Sequence, residues 1–252
     1  GTYTLIGRLN TDVFFQALEE VVKRHEILRT SFELKDLTPQ QIVHAFDRDQ
    51  CHFTFIDHSD GNVSEDALRK VLKDSVNEPF NLAEGYLLRV LLVKISEEEY
   101  KLAVTFHHII ADLITLQVFN NELIGFYDTL LKDEEKNIEP LKVHYKDYAA
   151  WRNAKIQNGV FDKDKQYWLE QLGEMVPPVE LPYDFPKDEH RNMYQGHTLQ
   201  LSIDQDTLRE LDEVIRERNI TFYMVFITVV NALLYKYHQQ EYITLGTPVS
   251  GR

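Results

Sequence analysis

The chain has 252 residues, which is long for a single hydrophobic core and suits two lobes. Its net charge of −14 is spread along the sequence without a cluster of Lys or Arg, which disfavours nucleic acid and membrane surfaces as partners. Apolar residues make up 43% of the chain, and its one cysteine, Cys51, has no disulfide partner, as in globular proteins of the reducing cytoplasm. Because the chain lacks an initiator Met and begins in a strand-like run, we expect it to be a piece of a longer protein.

The hydrophobic pattern of the first 131 residues predicts a sheet with helices packed on it. Alternating apolar residues predict strands, and apolar residues at helical spacing after the capping residues Asn10 and Ser64 predict helices. The two longest strands are joined by an acidic turn at 96–99 and are expected to form a hairpin at the centre of the sheet. Predicted strands are 2–9, 28–34, 40–46, 52–57, 86–95 and 100–107, and predicted helices are 11–25, 65–78 and 112–131.

The second half of the chain divides at a proline-rich stretch. Residues 132–137 are expected to be a solvated loop, followed by helices at 145–157 and 162–172 that each end at a glycine, Gly159 or Gly173. Four prolines between 177 and 186 predict a linker, so we assign a first lobe to 1–175, a linker to 176–190 and the start of a second lobe to 191–252. In that lobe we expect strands at 195–203 and 242–245, helices at 205–218 and 221–238, and a closing loop at 246–252. The helix at 221–238 is apolar nearly all round, which predicts a buried core helix rather than a membrane span.

Two adjacent histidines end the last strand of the predicted hairpin. His107 and His108 are followed by a short turn and then by a helix that starts at Asp112, so they lie at a strand-to-helix junction, where α/β folds open clefts. On these residues alone, a reactive site and a plain structural role, with Asp112 as a helix N-cap, stay open as alternatives. A metal site is disfavoured because adjacent strand residues point to opposite faces, and a serine-hydrolase elbow or glycine-rich phosphate loop is absent from the sequence.

Two further stretches surround this pair in a characteristic order. They are Arg24-His-Glu-Ile-Leu-Arg-Thr-Ser-Phe32 and Tyr145-Lys-Asp-Tyr-Ala-Ala-Trp151. Together with His-His-x-x-x-Asp, the chain resembles the condensation domains of nonribosomal peptide synthetases, whose motifs run Arg-His-Glu-x-Leu-Arg-Thr-x-Phe, His-His-x-x-x-Asp-Gly and Tyr-x-Asp-Phe/Tyr-Ala-x-Trp. The first and third motifs match at every fixed position, and the closing loop at 246–252 is similar to the stretch that leads into the family's next motif.

The resemblance implies an α/β fold like that of chloramphenicol acetyltransferase, a layered sandwich of sheet and helices. Two lobes form a V with a tunnel between them, and this chain would hold a complete or near-complete N-terminal lobe and part of the C-terminal lobe. The implied activity is formation of an amide bond by an acyltransferase. The implied partners are a donor and an acceptor peptidyl carrier protein, whose phosphopantetheine arms bring the substrates, together with neighbouring adenylation and carrier domains in the cytoplasm. The domain itself is expected to bind no cofactor or metal.

The resemblance also assigns roles to single residues. His108 is the reactive histidine and His107 accompanies it, while Asp112 is a structural partner that pairs with an arginine. The candidates for that arginine are Arg24 and Arg29. We expect His25, His144 and Trp151 to be packing residues.

One residue departs from the family pattern, and it leaves more than one function open. Leu113 stands where the family has glycine, in the path that a substrate arm would take. Its side chain is predicted either to pack beside Leu116, which we favour, or to project into the tunnel. An epimerization domain is a second hypothesis, although its usual Ser-Trp is replaced here by residues at 114–116. A non-catalytic domain that docks carrier proteins is the third hypothesis.

Overall fold

The computed structural model of the chain describes residues 1–60, 63–133, 140–173, 181–182, 184, 199–240 and 242–247. Its contacts divide the chain into two compact units, Gly1–Val160 and Phe161–Arg252. The predicted linker at 176–190 lies almost entirely outside the described residues, as do most of the loop at 132–137 and the end of the loop at 246–252. The predicted lobe boundaries therefore stay predictions.

The first unit is built on a mixed sheet whose two central strands are the predicted hairpin. The four-stranded sheet has the order β1-β6-β5-β4, in which β4 runs parallel to β5 and the other neighbours are antiparallel. The strands β2 and β3 form a separate two-stranded hairpin. Strand bounds are β1 Thr2–Ile6, β2 Thr30–Lys35, β3 Thr38–Val43, β4 His52–Asp57, β5 Leu88–Ser96 and β6 Glu99–Phe106.

Seven helices lie in the described parts of the chain, and the N-caps of the first two, Asn10 and Ser64, are the ones that the sequence predicted. Asn10 and Ser64 each accept a hydrogen bond from the backbone N–H three residues later, which satisfies a donor that the first helical turn would otherwise leave unpaired. Helix bounds are α1 Thr11–Arg24, α2 Glu65–Asn77, α3 Leu113–Leu131, α4 Tyr145–Gln157, α5 Asp162–Leu172, α6 Gln205–Arg218 and α7 Phe222–His238.

The core of the first unit lies on both faces of the central strand β5. Its residues alternate between the faces: Val90 and Leu92 pack with α1 and α3, whereas Leu91 and Val93 pack with α2. A strand covered on both faces is expected to carry an apolar run, and the buried middle of β5, residues 90–93, is such a run. Each such side chain contributes about 1.5–3 kcal/mol by burial, so this hairpin fixes the position of the residues that follow β6. The predicted sheet with packed helices is confirmed.

The second unit differs from its prediction in two respects. The described parts of the predicted strands, 199–203 and 242–245, are not strands, because an extended segment becomes a strand only when a neighbour completes its hydrogen bonds. The helix α7, predicted to be buried, has no buried residue, and Val229 and Tyr237 are 60% and 64% exposed. Among the described residues, α7 packs chiefly with α6, which covers too little of its apolar surface.

No single helix in the described part of the chain is long and apolar enough to cross a membrane. The helices α6 and α7, which meet at a bend of 108°, pass that test only as a pair, by length and composition.

Candidate active site

The two histidines lie in a turn that is held at both ends. The backbone N–H of His107 donates to the carbonyl of Leu87 at 3.0 Å, which extends the pairing of β5 and β6 by one residue. The N–H of Ile110 donates back to the His107 carbonyl at 3.1 Å, and Ile110 and Ala111 are buried in the core. His108 lies between these fixed points and is exposed. The fold therefore presents one imidazole on a rigid support.

The side chain of His107 makes its contacts within and beside the turn. Its Nδ1 accepts a hydrogen bond of 3.1 Å from the backbone N–H of Ile109, and its ring packs edge-on against Phe80, with centroids 6.2 Å apart. Unlike His108, it is half-buried. The two histidines therefore have different environments, and only His108 is open to solvent and substrates.

Asp112 is the N-cap of α3. Its Oδ1 accepts hydrogen bonds from the backbone N–H and the hydroxyl of Thr115 at 2.9 and 2.8 Å, and its own N–H donates to that hydroxyl at 3.1 Å. This reciprocal capping box confirms the predicted N-cap at Asp112. A carboxylate at this place is also favoured by the partial positive charge of the helix N-terminus.

The two arginines proposed as partners of Asp112, Arg24 and Arg29, both belong to the first motif. The guanidinium of Arg29 donates to the backbone carbonyl of His44 and lies 3.9 Å from the carboxylate of Glu26. The Nε of Arg24 lies 3.1 Å from Glu122, whose other oxygen lies 2.6 Å from Nε2 of His25. Both arginines thus contact other groups, and the pairing of Arg24 or Arg29 with Asp112 stays a prediction.

Two substitutions of Asp112 distinguish the stability that its N-cap hydrogen bonds provide from the stability that its negative charge provides. Asp112→Ala removes the cap and should cost about 0.5–2 kcal/mol of stability, whereas Asp112→Asn keeps a good N-cap. If Arg24 pairs with Asp112, Asp112→Asn should still lower the melting temperature, but the loss of stability should be smaller than the about 3–5 kcal/mol of a broken buried pair, because Glu122 continues to face the guanidinium. Thermal unfolding of both variants, in a double-mutant cycle with Arg24→Gln, measures the coupling. A wild-type melting temperature for Asp112→Asn would exclude the ion pair, and lost activity at unchanged stability would indicate direct catalysis.

Glu26 connects the first and third motifs, and the sequence analysis did not single it out. One carboxylate oxygen lies 2.5 Å from Nζ of Lys146 and 3.9 Å from Nδ1 of His144, both at the start of α4. The hydrogen bond from Lys146 lowers the pKa of Glu26 from its usual 4.5, and the charges of His144 and Arg29 act in the same direction against burial. These contacts join α4 to the turn that follows α1.

The lowered pKa of Glu26 predicts how stability depends on pH. Because the folded pKa is below the unfolded value of 4.5, the ion pair stabilises the protein fully above that value and is lost as pH falls through the folded pKa. We expect Glu26→Gln to lower the melting temperature at pH 7 and to show a smaller further loss toward pH 3 than the wild type. The matched control is Glu65→Gln, whose ion pair with Arg69 is largely exposed. Parallel curves for wild type and Glu26→Gln would contradict this role.

Leu113 is the first residue of α3, and its side chain is 83% exposed. The favoured alternative, in which it packs beside Leu116, is therefore wrong. Ile109 and Ile114 are also exposed, at 36% and 54%. An apolar surface thus borders the turn that carries His108.

Two further kinds of reactive group that the described structure could offer are a thiol and a cluster of metal ligands. Burial, together with the charges of Glu19 and Asp47, raises the pKa of the Cys51 thiol to about 11, so it stays protonated and is a poor nucleophile at neutral pH. Among the residues that the structure describes, no group of three or more His, Cys, Asp or Glu side chains is placed to hold a metal ion. His108 is thus the exposed imidazole that the turn offers.

Comparison with known families assigns the class of the protein. The sequence model of the Condensation domain matches residues 2–252, and the chain belongs to this family of nonribosomal peptide synthetase domains. It is 32% identical to gramicidin S synthase 2 of Aneurinibacillus migulanus over 98% of the chain and 5% of that protein. It is 31% identical to tyrocidine synthase 3 of Brevibacillus parabrevis over 100% of the chain and 4% of that protein. The chain thus spans about a twentieth of these relatives.

Solved structures agree on the fold. The X-domain from teicoplanin biosynthesis superposes with a TM-score of 0.82 and 25% identity, over 94% of this chain and 52% of that one. The epimerization domain from the third module of tyrocidine synthetase B gives 0.80 with 18% identity, over 95% and 55%. The predicted α/β fold of the chloramphenicol acetyltransferase type is confirmed, and the chain spans about half of these structures.

Proposed function

We propose that this domain catalyses amide bond formation between two carrier-bound substrates in nonribosomal peptide synthesis. The observation that carries the proposal is the placement of His108: an exposed imidazole on a turn held by β5 on one side and by the buried Ile110 on the other. Fixed geometry matters because much of the advantage of an acyl transfer comes from holding the reacting groups together.

The reaction needs one proton acceptor beside the attacking amine. The amine of the acceptor attacks the thioester carbonyl of the donor, a C–N bond forms and the C–S bond breaks. The neutral imidazole of His108 takes the proton that the amine loses, and the pantetheine thiolate leaves and is protonated. His108 can equally hold the amine by a hydrogen bond, and both roles need the same position.

The partners follow from this chemistry. We propose a donor and an acceptor peptidyl carrier protein as the partners, each bringing its substrate on a phosphopantetheine arm. Neighbouring adenylation and carrier domains of a cytoplasmic synthetase would load those arms. The relatives named as gramicidin and tyrocidine synthases support a place in peptide antibiotic synthesis.

Docking without catalysis is the second candidate function, favoured by one residue and one comparison. Leu113 replaces the glycine of the family motif and is exposed next to the turn. A similar structure, with a TM-score of 0.77 and 25% identity, is a complex of the teicoplanin X-domain with OxyB. An epimerization domain is the third candidate, and its solved relative, at 18% identity, bears on the fold alone.

A single-turnover assay with two loaded carrier proteins distinguishes these candidates. The proposal expects an amide product on the acceptor carrier within one turnover. Inverted stereochemistry of the donor aminoacyl group, with the donor carrier alone, would indicate epimerization. Binding of loaded carriers without either product would indicate docking and would overturn the proposal.

A further inference from the structure

In the turn that carries His108, a histidine side chain accepts the type of backbone hydrogen bond that aspartate or asparagine accepts at other places in the described structure. At Asp47, Asp57 and Asn81, a side-chain oxygen accepts a hydrogen bond from the backbone N–H two residues later, at 3.0, 2.9 and 3.1 Å. At His107, Nδ1 accepts from the N–H of Ile109 at 3.1 Å, with the same two-residue spacing. Nδ1 of histidine and Oδ1 of asparagine are separated from the backbone by the same number of bonds, so the imidazole reproduces an Asx turn.

This hydrogen bond determines the protonation state of the ring. A backbone N–H can only donate, so Nδ1 of His107 must offer its lone pair and Nε2 must carry the single ring proton. A protonated imidazole has N–H groups on both nitrogens and would place a donor against the N–H of Ile109. The hydrogen bond between Ile109 and the His107 ring is therefore formed only while His107 is neutral.

An aromatic ring and a guanidinium lie beside the ring of His107. Phe80 packs against the His107 ring with an interplanar angle of 89°, and the guanidinium of Arg89, on β5, lies 4.4 Å from the centre of that same phenyl ring. The charge of Arg89 is compensated only in part, by the exposed Glu78 at 3.4 Å. The other titratable groups beside the turn are His108 itself and Asp112, whose carboxylate accepts from Thr115.

We propose that His107 is a positioning residue whose neutral ring, by accepting from Ile109, holds the turn that presents His108. Protonation of His107 breaks the hydrogen bond from Ile109 and leaves the turn with only the backbone bonds of His107 and Ile110. The role in catalysis rests on the function proposed above. The role in shaping the turn does not.

Two substitutions separate the hydrogen bond from the bulk of the side chain. His107→Asn keeps an acceptor at the same position and cannot be protonated near neutral pH, whereas His107→Leu keeps apolar bulk against Phe80 and removes the acceptor. We expect the rate of amide formation to fall roughly 5- to 30-fold in His107→Leu, the factor that a lost hydrogen bond produces, and to stay within about threefold of wild type in His107→Asn. A merely structural residue would instead lower the rate in proportion to the loss of melting temperature in both variants.

The pH profile gives a readout that packing alone does not change. Because asparagine cannot be protonated near neutral pH, the rate of amide formation should fall less steeply with decreasing pH in His107→Asn than in the wild type. Equal rates for the Asn and Leu variants, or a wild-type slope for His107→Asn, would overturn the proposal.

Nuclear magnetic resonance tests the turn independently of catalysis. In the 252-residue chain labelled with ¹⁵N-histidine, the ring signals that disappear in His107→Asn belong to His107. We expect them to show a proton on Nε2 and none on Nδ1 at pH 7.5, with loss of the Ile109 amide hydrogen bond when the ring is protonated. A proton on Nδ1 would refute the inference even if amide formation is observed. The expected tautomer in a chain that forms no amide would leave this inference standing and overturn the proposed function instead.

Discussion

Replacing His108 by alanine is expected to lower the rate of amide formation at least about 100-fold while the protein stays folded. A positioned general base contributes about 10²- to 10⁴-fold, and the described turn offers the imidazole of His108 for this role. The side chain is exposed, and substitutions at exposed positions usually change stability by no more than about 0.5 kcal/mol. Single-turnover kinetics with both carriers loaded, and thermal unfolding of the same preparation, measure the two quantities.

The matched control for this experiment is His52→Ala. His52 is also exposed, at the start of β4, and lies outside the turn that carries His108. Wild-type rates are expected for this variant. If His108→Ala forms product at the wild-type rate, His108 has no role in the reaction. If its melting temperature falls strongly, the lower rate is caused by loss of folded protein and not by loss of a catalytic group.

The parts of the fold that the sequence predicted correctly are those determined by local interactions. The helices α4, α5 and α6 have the bounds expected from their apolar spacing, caps and terminal glycines, because these signals act within a few residues. The predictions that were wrong in the second unit concern segments whose structure depends on which other segments pack against them. Whether 199–203 is a strand, or whether α7 is buried, depends on what packs beside it, and the local pattern does not encode this.

The candidate site shows the same limit. The motif located His108 and the cap at Asp112, since both depend on neighbours in sequence. Glu122, which holds Arg24 and His25, is nearly 100 residues away from them, and Glu26 meets Lys146 over a still longer separation. Charged residues of these types are common on helix surfaces, so their pattern alone does not reveal a specific partner.

The side chain of Leu113 was misplaced for a reason of helix geometry. Helical side chains point toward the N-terminus and cover the turn that precedes them. Leu113 is the first residue of α3 and has no preceding helical turn to cover, so spacing relative to Leu116 does not bury it. An exposed leucine is thus held next to the turn of His108, where the family motif has no side chain.

Replacing Leu113 by glycine is therefore expected to raise the rate of amide formation, by roughly tenfold. The physical reason is volume: an isobutyl group in the path of a pantetheine arm forces shifts that typically cost about 1–3 kcal/mol, and each 1.36 kcal/mol corresponds to a tenfold change in rate. Because Leu113 is exposed, removing its side chain sacrifices little core packing, and the loss of helix propensity is about 1 kcal/mol at most. Condensation rates of wild type and variant, with both carriers loaded, measure the effect.

The control for Leu113→Gly is Leu131→Gly, at the opposite end of the same helix. Leu131 is the last residue of α3 and is 48% exposed, so its replacement costs a similar helix propensity about 27 Å from the first turn. An unchanged rate is expected there. If Leu113→Gly leaves the rate unchanged or lowers it, the leucine does not obstruct the approach to His108. If both variants stay without product while loaded carriers still bind, the domain docks carriers without catalysis, because restoring the glycine of the motif has not restored chemistry.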